Sequence, residues 1–310
     1  MPPTEVKGKP GQMKSSAFEH SGLKSKQGTS PGMGKSFNMS TWFSCAIGRT
    51  AVTAMIVATM SLSACDMSSS EPVYSSVGVE AFNYTSYNLD HFVVRDQYGN
   101  KASGGGDLMP GSGAGSVSCC YALKGTDFTV DWDVYDADAA QKQIDAQQDI
   151  SVIRKTARVH MPPAEVKGKP GQNVLALHFY PDDHVEFEFR DDLQGARISY
   201  AKVDEWFQRT YGKAANPDNL DDAKSFRRTV RVAADGWKKY GLTSEKDLEQ
   251  YVYYALIVNP RFDEYPAVQK ILVETKGKPD AFGDAMRKLS PATVDEIKRF
   301  RPEQKEVVRG

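Results

Sequence analysis

The chain changes its hydrophobic period once, near residue 200, and that change limits the folds open to it. From about residue 72 onward apolar side chains return at every second position. Val77, Val79 and Ala81 alternate with Ser76, Gly78 and Glu80, and Phe128, Val130, Trp132 and Val134 alternate with Thr129, Asp131 and Asp133. Leu175, Leu177 and Phe179 run into Pro181-Asp182-Asp183, after which Val185, Phe187 and Phe189 resume the alternation, as in a hairpin with one buried and one wet face. Strict alternation predicts antiparallel strands, and two such sheets bury their apolar faces best against each other. Residues 137–148 have helical composition and interrupt the strands.

Beyond residue 200 the period becomes that of helices. Phe226, Val230, Ala233 and Trp237 share one face, with Arg227, Arg228, Arg231 and Lys238 elsewhere. Gly241 stops that helix, and Ser244 with Asp247 opens the next, which carries Leu248, Val252 and Leu256 on one side as far as Asn259-Pro260. Further helices are predicted over 266–274, 280–289 and 291–300, the last capped by Ser290 with Pro291 in its first position, and one more near 202–209. The expected fold class is α+β: an N-terminal antiparallel β-sandwich-like domain over 73–200, then a C-terminal helical bundle over 201–310. Asn216-Pro217-Asp218-Asn219 is a boundary candidate.

Upstream, residues 51–64 form an apolar run, short of the roughly 20 residues a spanning helix needs. With Arg49 just before it, the run has the form of a signal-peptide core. Leu62-Ser63-Ala64-Cys65 follows and resembles the lipobox of bacterial lipoproteins. That resemblance implies a signal peptide over 39–64, cleavage before Cys65, acylation of its thiol and new amine, and a polar tether over 65–72. The body would then sit in the periplasm on a lipid anchor, each buried CH₂ contributing roughly 0.8 kcal/mol. Asp66, directly after the lipidated position, implies the inner membrane. Residues 1–38 are expected to be a disordered leader. Their opening string, Met1 to Gln12, returns with one difference at 161–172, which suggests duplication debris or synthesis starting at Met39. Gly32-Met33-Gly34-Lys35-Ser36 lacks the phosphate-loop glycine, since that position holds Thr29.

Charge and motifs exclude several classes. Thirty-nine basic residues against 40 acidic ones leave a net charge of −1, which is no footprint for nucleic acid. Beyond the leader there is no Gly-x-Ser-x-Gly elbow, and His91, His160, His178 and His184 have no His or Cys at metal-ligand spacing. His178 and His184 flank one hairpin but offer two ligands where zinc takes three or four. Of the four cysteines, cleavage would remove Cys45 and acylation would consume Cys65, leaving Cys119 and Cys120. These either pair as a vicinal disulfide or divide into one buried and one free thiol. Asp182, Asp183, Glu186, Glu188, Asp191 and Asp192 gather on the last hairpin, and alternation points Glu186 and Glu188 away from the core. They form a solvated edge or, through Asp182, Asp183, Glu186 and Glu188, a surface for a basic partner. Tyr251, Tyr253 and Tyr254 belong to the core or to an interface. These residues supply no catalytic, cofactor or metal site, so no enzyme is expected.

Phe82-Asn83-Tyr84-Thr85, Phe92-Val93-Val94, the long Gly-rich loop expected over 101–116 running into Cys119-Cys120, and the string from Leu175 to Asp182 carry a family likeness. Together they resemble the bacterial lipoproteins grouped as domain of unknown function 3304, over roughly residues 72–195. The string from Val258 to Pro266 resembles C-terminal helical segments of type VI secretion-associated proteins. The resemblance implies a periplasmic, membrane-anchored immunity protein, a non-catalytic inhibitor of a cognate phospholipase effector that needs no cofactor and binds no nucleic acid. The alternative is an envelope structural or assembly lipoprotein whose helices dock a protein.

Overall fold

The computed structural model describes residues 71–111, 117–165, 173–191 and 195–302. The leader, the signal-peptide run, Cys65, its tether up to residue 70, and Asp192 lie outside the described residues.

Eight strands form two four-stranded sheets. The first contains β1 (Val73–Asn83), β4 (Ser118–Lys124), β7 (Asn173–Phe179) and β8 (Val185–Arg190), in the order β4-β1-β7-β8. The second contains β2 (Asn88–Asp96), β3 (Lys101–Leu108), β5 (Asp127–Tyr135) and β6 (Ile153–His160), in the order β3-β2-β5-β6. The sheets face each other across one core. Val77, Val79, Ala81, Leu175, Leu177 and Phe179 from the first meet Phe92, Val94, Phe128, Val130 and Trp132 from the second. Helix α1 (Ala137–Asp145) is the excursion between β5 and β6, capped by Asp136, whose carboxylate accepts from Asp138 N and Ala139 N.

Three expectations need correction here. The Gly-rich stretch expected to loop over 101–116 forms strand β3 over Lys101–Leu108, whose backbone pairs with β2 despite its glycines. The second sheet is antiparallel throughout, but β1 and β7 run parallel, from Val77 opposite Asn173 to Asn83 opposite Phe179. The chain reaches β7 only after building the other sheet, a crossover long enough to bring it back in β1's direction. The outer face of β1 and β7 is also not wet. Every residue of β7 is buried, and Glu80 on β1 is 1% exposed. A helical layer covers this face, so the central sheet is buried on both sides.

That layer comprises α2 (Tyr200–Tyr211), α3 (Asp222–Tyr240), α4 (Glu245–Tyr253), α5 (Pro266–Thr275), α6 (Ala281–Arg287) and α7 (Pro291–Arg299), so the α+β class holds. Val230, Ala233 and Ala234 of α3 pack with Val203 and Phe207 of α2, and the same core takes in Phe82, Tyr84, Ala176 and Tyr180 from the sheet. Gly241 ends α3 in the left-handed conformation (φ 68°), donating its N–H to Trp237 O. Ser244 caps α4 by accepting from Asp247 N. The Asp247 carboxylate, buried, accepts from the N–H groups of Asp280 and Gly283 and so ties down the start of α6. Ser290 caps α7 through Thr293 N. Arg227 and Arg231 of α3 reach Asp138, and Arg231 also reaches Asp136, which docks α1 against the helices. Among the described residues no helix is long and apolar enough to cross a membrane.

Candidate functional site

The densest polar cluster lies where the sheet meets the helices. The parallel register sets Phe82 beside His178, and the hairpin register sets His178 beside Glu186, with Ala176 beside Glu188. All of these project from the outer face because strand residues alternate. Arg197, in the segment leading into α2, lies across them.

The hydrogen bonds form one connected set. Arg197 N donates to the Tyr84 hydroxyl at 2.8 Å, and that hydroxyl lies 3.0 Å from His178 Nδ1. His178 Nε2 lies 3.1 Å from Glu188 Oε2, which also accepts from Arg197 Nε and Nη2 at 3.2 and 2.9 Å. Arg197 Nη1 donates to the Tyr180 hydroxyl and to Glu186. The carboxylate needs a donor, so His178 carries its proton on Nε2, and Nδ1 accepts from Tyr84. Aromatic rings wall the cluster: Phe82 stacks on His178 at 4.9 Å, and Tyr180 lies between His184 at 4.3 Å and Trp237 at 5.1 Å.

Electrostatics agree with that proton placement. Burial, helped by the positive charge of Arg197, lowers the His178 imidazole to about 4, against the pull of Glu188. Burial would raise Glu186 and Glu188, but the Arg197 guanidinium outweighs it and holds both below the usual carboxylate range. Burial raises Tyr84 and Tyr200 far above ordinary phenols. The ground state is therefore a neutral imidazole, two carboxylates and one guanidinium.

A hydroxyl, an imidazole and a carboxylate in line have the form of a proton relay. Here the hydroxyl is fully buried and already accepts a backbone N–H. The set works as a clamp, stitching β1, β7 and β8 to the entry of α2.

The residues singled out from sequence are placed as follows. Cys119 and Cys120 are bonded to each other, across a cis peptide. Asp182 pairs with His184, Asp183 with Lys155, Glu186 with Arg197 and His184, and Glu188 with Arg197 and His178. All four carboxylates thus have a partner within the chain while staying half-exposed. His178 is not on a wet face but fully buried, and Tyr180 separates it from His184, so the two do not converge on a metal position. Among the described residues no group of three or more His, Cys, Asp or Glu side chains could hold a metal ion. Tyr251 and Tyr254 are core residues, whereas Tyr253 stacks on Tyr211 at 5.0 Å.

Sequence reasoning missed Arg197, Tyr84 and Asn83. Asn83 Nδ2 donates to Tyr87 O and Leu108 O, and its Oδ1 accepts from Thr85, closing the β1–β2 turn. A usable signal existed for Tyr84's partner His178: the apolar run Val174-Leu175-Ala176-Leu177 suits a strand covered on both faces, which makes the adjoining His178 a buried group needing partners.

The family model described as a protein of unknown function, DUF3304, matches residues 82–187. No curated protein and no solved structure matches the chain. The matched stretch holds the whole second sheet with Tyr84, His178 and Glu186, and stops before Glu188 and Arg197.

Proposed function

We propose, from the match of residues 82–187 to the DUF3304 family model, that this chain acts by binding another protein outside the cytoplasm. On this reading it is a membrane-anchored immunity protein that occupies and blocks a type VI phospholipase effector. The observation that carries the binding role is the closed set of Tyr84, His178, Glu188 and Arg197. Groups suited to acid–base work are here joined to one another and hold two layers in register. A body made stiff in this way keeps its surface preorganised, which lowers the ordering cost of association.

The anchor rests on Leu62-Ser63-Ala64-Cys65 behind its apolar run. Acyl chains at Cys65 would hold the inhibitor on the same surface that a phospholipase attacks, which raises its effective concentration without new contacts. Inhibition then needs a complementary patch of about 800 Å² per partner and no reaction chemistry.

A phospholipase effector gene is expected beside this one, and the test is co-expression of that effector, exported to the periplasm, with this chain. The parent is expected to relieve toxicity and to fractionate with membranes. Cys65→Ala is expected to move to the soluble fraction and protect less. Toxicity unrelieved by the parent overturns the immunity role, and equal membrane fractionation of both proteins overturns the anchor.

A further inference from the structure

Strands β3 and β4 are each an outer strand of one sheet, and they lie side by side along one flank of the sandwich. The Tyr121 hydroxyl on β4 donates to Ser103 O on β3 at 2.8 Å, bridging the two edges. Between them opens a groove of about 450 Å³ lined by His91, Ser103, Gly104, Gly106, Ser118 and Tyr121. Ser118 and Tyr121 are the residues that bracket Cys119-Cys120, and both cysteines are exposed.

The ladder breaks at the same place. Val77 pairs with Tyr121 and Val79 with Ser118, so Cys119 and Cys120 together stand opposite the single residue Gly78. Two residues against one is a β-bulge. In a regular strand neighbouring side chains point to opposite faces, so adjacent cysteines there cannot bond to each other. The bond therefore depends on this break in the regular strand.

We infer that Cys119–Cys120 is a thiol–disulfide exchange site whose co-reactant is a protein dithiol reaching it along this open flank. A thiolate of the dithiol attacks one sulfur of the pair, forming a mixed disulfide and releasing the other sulfur as a thiolate. The second thiol of the partner, as its thiolate, then attacks the mixed disulfide. Two electrons pass to the pair, and the two protons lost by the dithiol end on Cys119 and Cys120. The partner leaves as a disulfide. Such exchange depends on access to the attacked sulfur, and both sulfur-bearing residues are exposed on an outer strand. Once the bond is open, nothing covalent holds two residues opposite Gly78, and the ladder between β1 and β4 is free to rearrange. This inference does not rest on the immunity reading.

The experiment uses the full chain at neutral pH without denaturant. It is treated with dithiothreitol or with reduced thioredoxin, and its thiols are then capped with a maleimide. Mass spectrometry of the peptide carrying residues 119 and 120 is expected to show no label before treatment and two labels after either reagent. Amide exchange over 77–79 and 118–121 is expected to quicken on reduction, and the double variant Cys119→Ser, Cys120→Ser is expected to match the reduced parent. Labels before treatment, or labelling only in urea, overturn the site. Labelling with dithiothreitol but not thioredoxin overturns the protein co-reactant. A double variant with the exchange pattern of the oxidised parent overturns the link between bond and bulge.

Discussion

Two buried tyrosines, with ring centroids 6.3 Å apart and packed edge-on, provide an internal comparison. Tyr84 and Tyr200 are both 0% exposed. The Tyr84 hydroxyl accepts from Arg197 N and donates to His178 Nδ1. The Tyr200 hydroxyl has no hydrogen-bond partner among the described residues. Tyr84→Phe leaves one amide donor and one imidazole acceptor unpaired in the interior. At about 1–3 kcal/mol for each group, partly relieved by local adjustment, the expected loss is about 2–4 kcal/mol. Tyr200→Phe removes a hydroxyl that was desolvated without compensation, so it is expected to be neutral or stabilising by up to about 1 kcal/mol. Urea unfolding of the full chain, followed by tryptophan fluorescence, reads the difference. With an m-value of about 3 kcal/mol/M, Tyr84→Phe lowers the midpoint by roughly 1 M. Trp132 in the sandwich and Trp206 and Trp237 in the helices all contribute to the signal, so it follows both layers together. Equal effects of the two substitutions, or the reverse order, would refute the assignment of the clamp.

Two further outcomes follow from the same region. Burial holds His178 at about 4 against an ordinary 6.5, so between those values the unfolded chain takes up a proton that the folded chain refuses. The contribution is full above the upper value and lost as pH falls to the lower one, a swing of roughly 3 kcal/mol at about 1.36 kcal/mol per pH unit. His178→Gln is expected to flatten this part of the urea midpoint against pH, and a slope equal to the parent's counts against it. Gly111 has φ 67°, and a Cβ there would come within 2.8 Å of Tyr200 Cβ and 2.9 Å of Val230 Cγ1. Gly111→Ala is expected to destabilise the chain by more than about 1 kcal/mol, read as a lower thermal midpoint; an unchanged midpoint would deny the close approach.

The elements themselves were legible because their signals are local. Alternation marks Phe128–Val134 whatever lies far away, and Ser244, Gly241 and Ser290 act on backbone groups within a turn of themselves. Alternation also placed Glu186 and Glu188 correctly away from the sandwich core. It did not reveal what lies on that side. Whether an outer face meets water or a second layer depends on residues more than 30 positions away, as with Ala176 and Val230, which share one core. Arg197 was invisible for the same reason: nothing around it marks a site, and its role comes from Tyr84, 113 positions earlier in the chain. The parallel pairing of β1 with β7 is likewise a property of chain path rather than of either strand's pattern.

The double-sided burial of β1 and β7 bears on where this protein can be cut. The family match begins at residue 82, after most of β1, and ends at 187, within β8. A fragment excised at those limits would deprive β7 of its parallel neighbour and leave Ala176 and His178 facing solvent. It is thus not a self-sufficient module. Any related chain that dispenses with the helices must either carry polar residues at the positions of Phe82 and Ala176 or borrow a cover from another molecule.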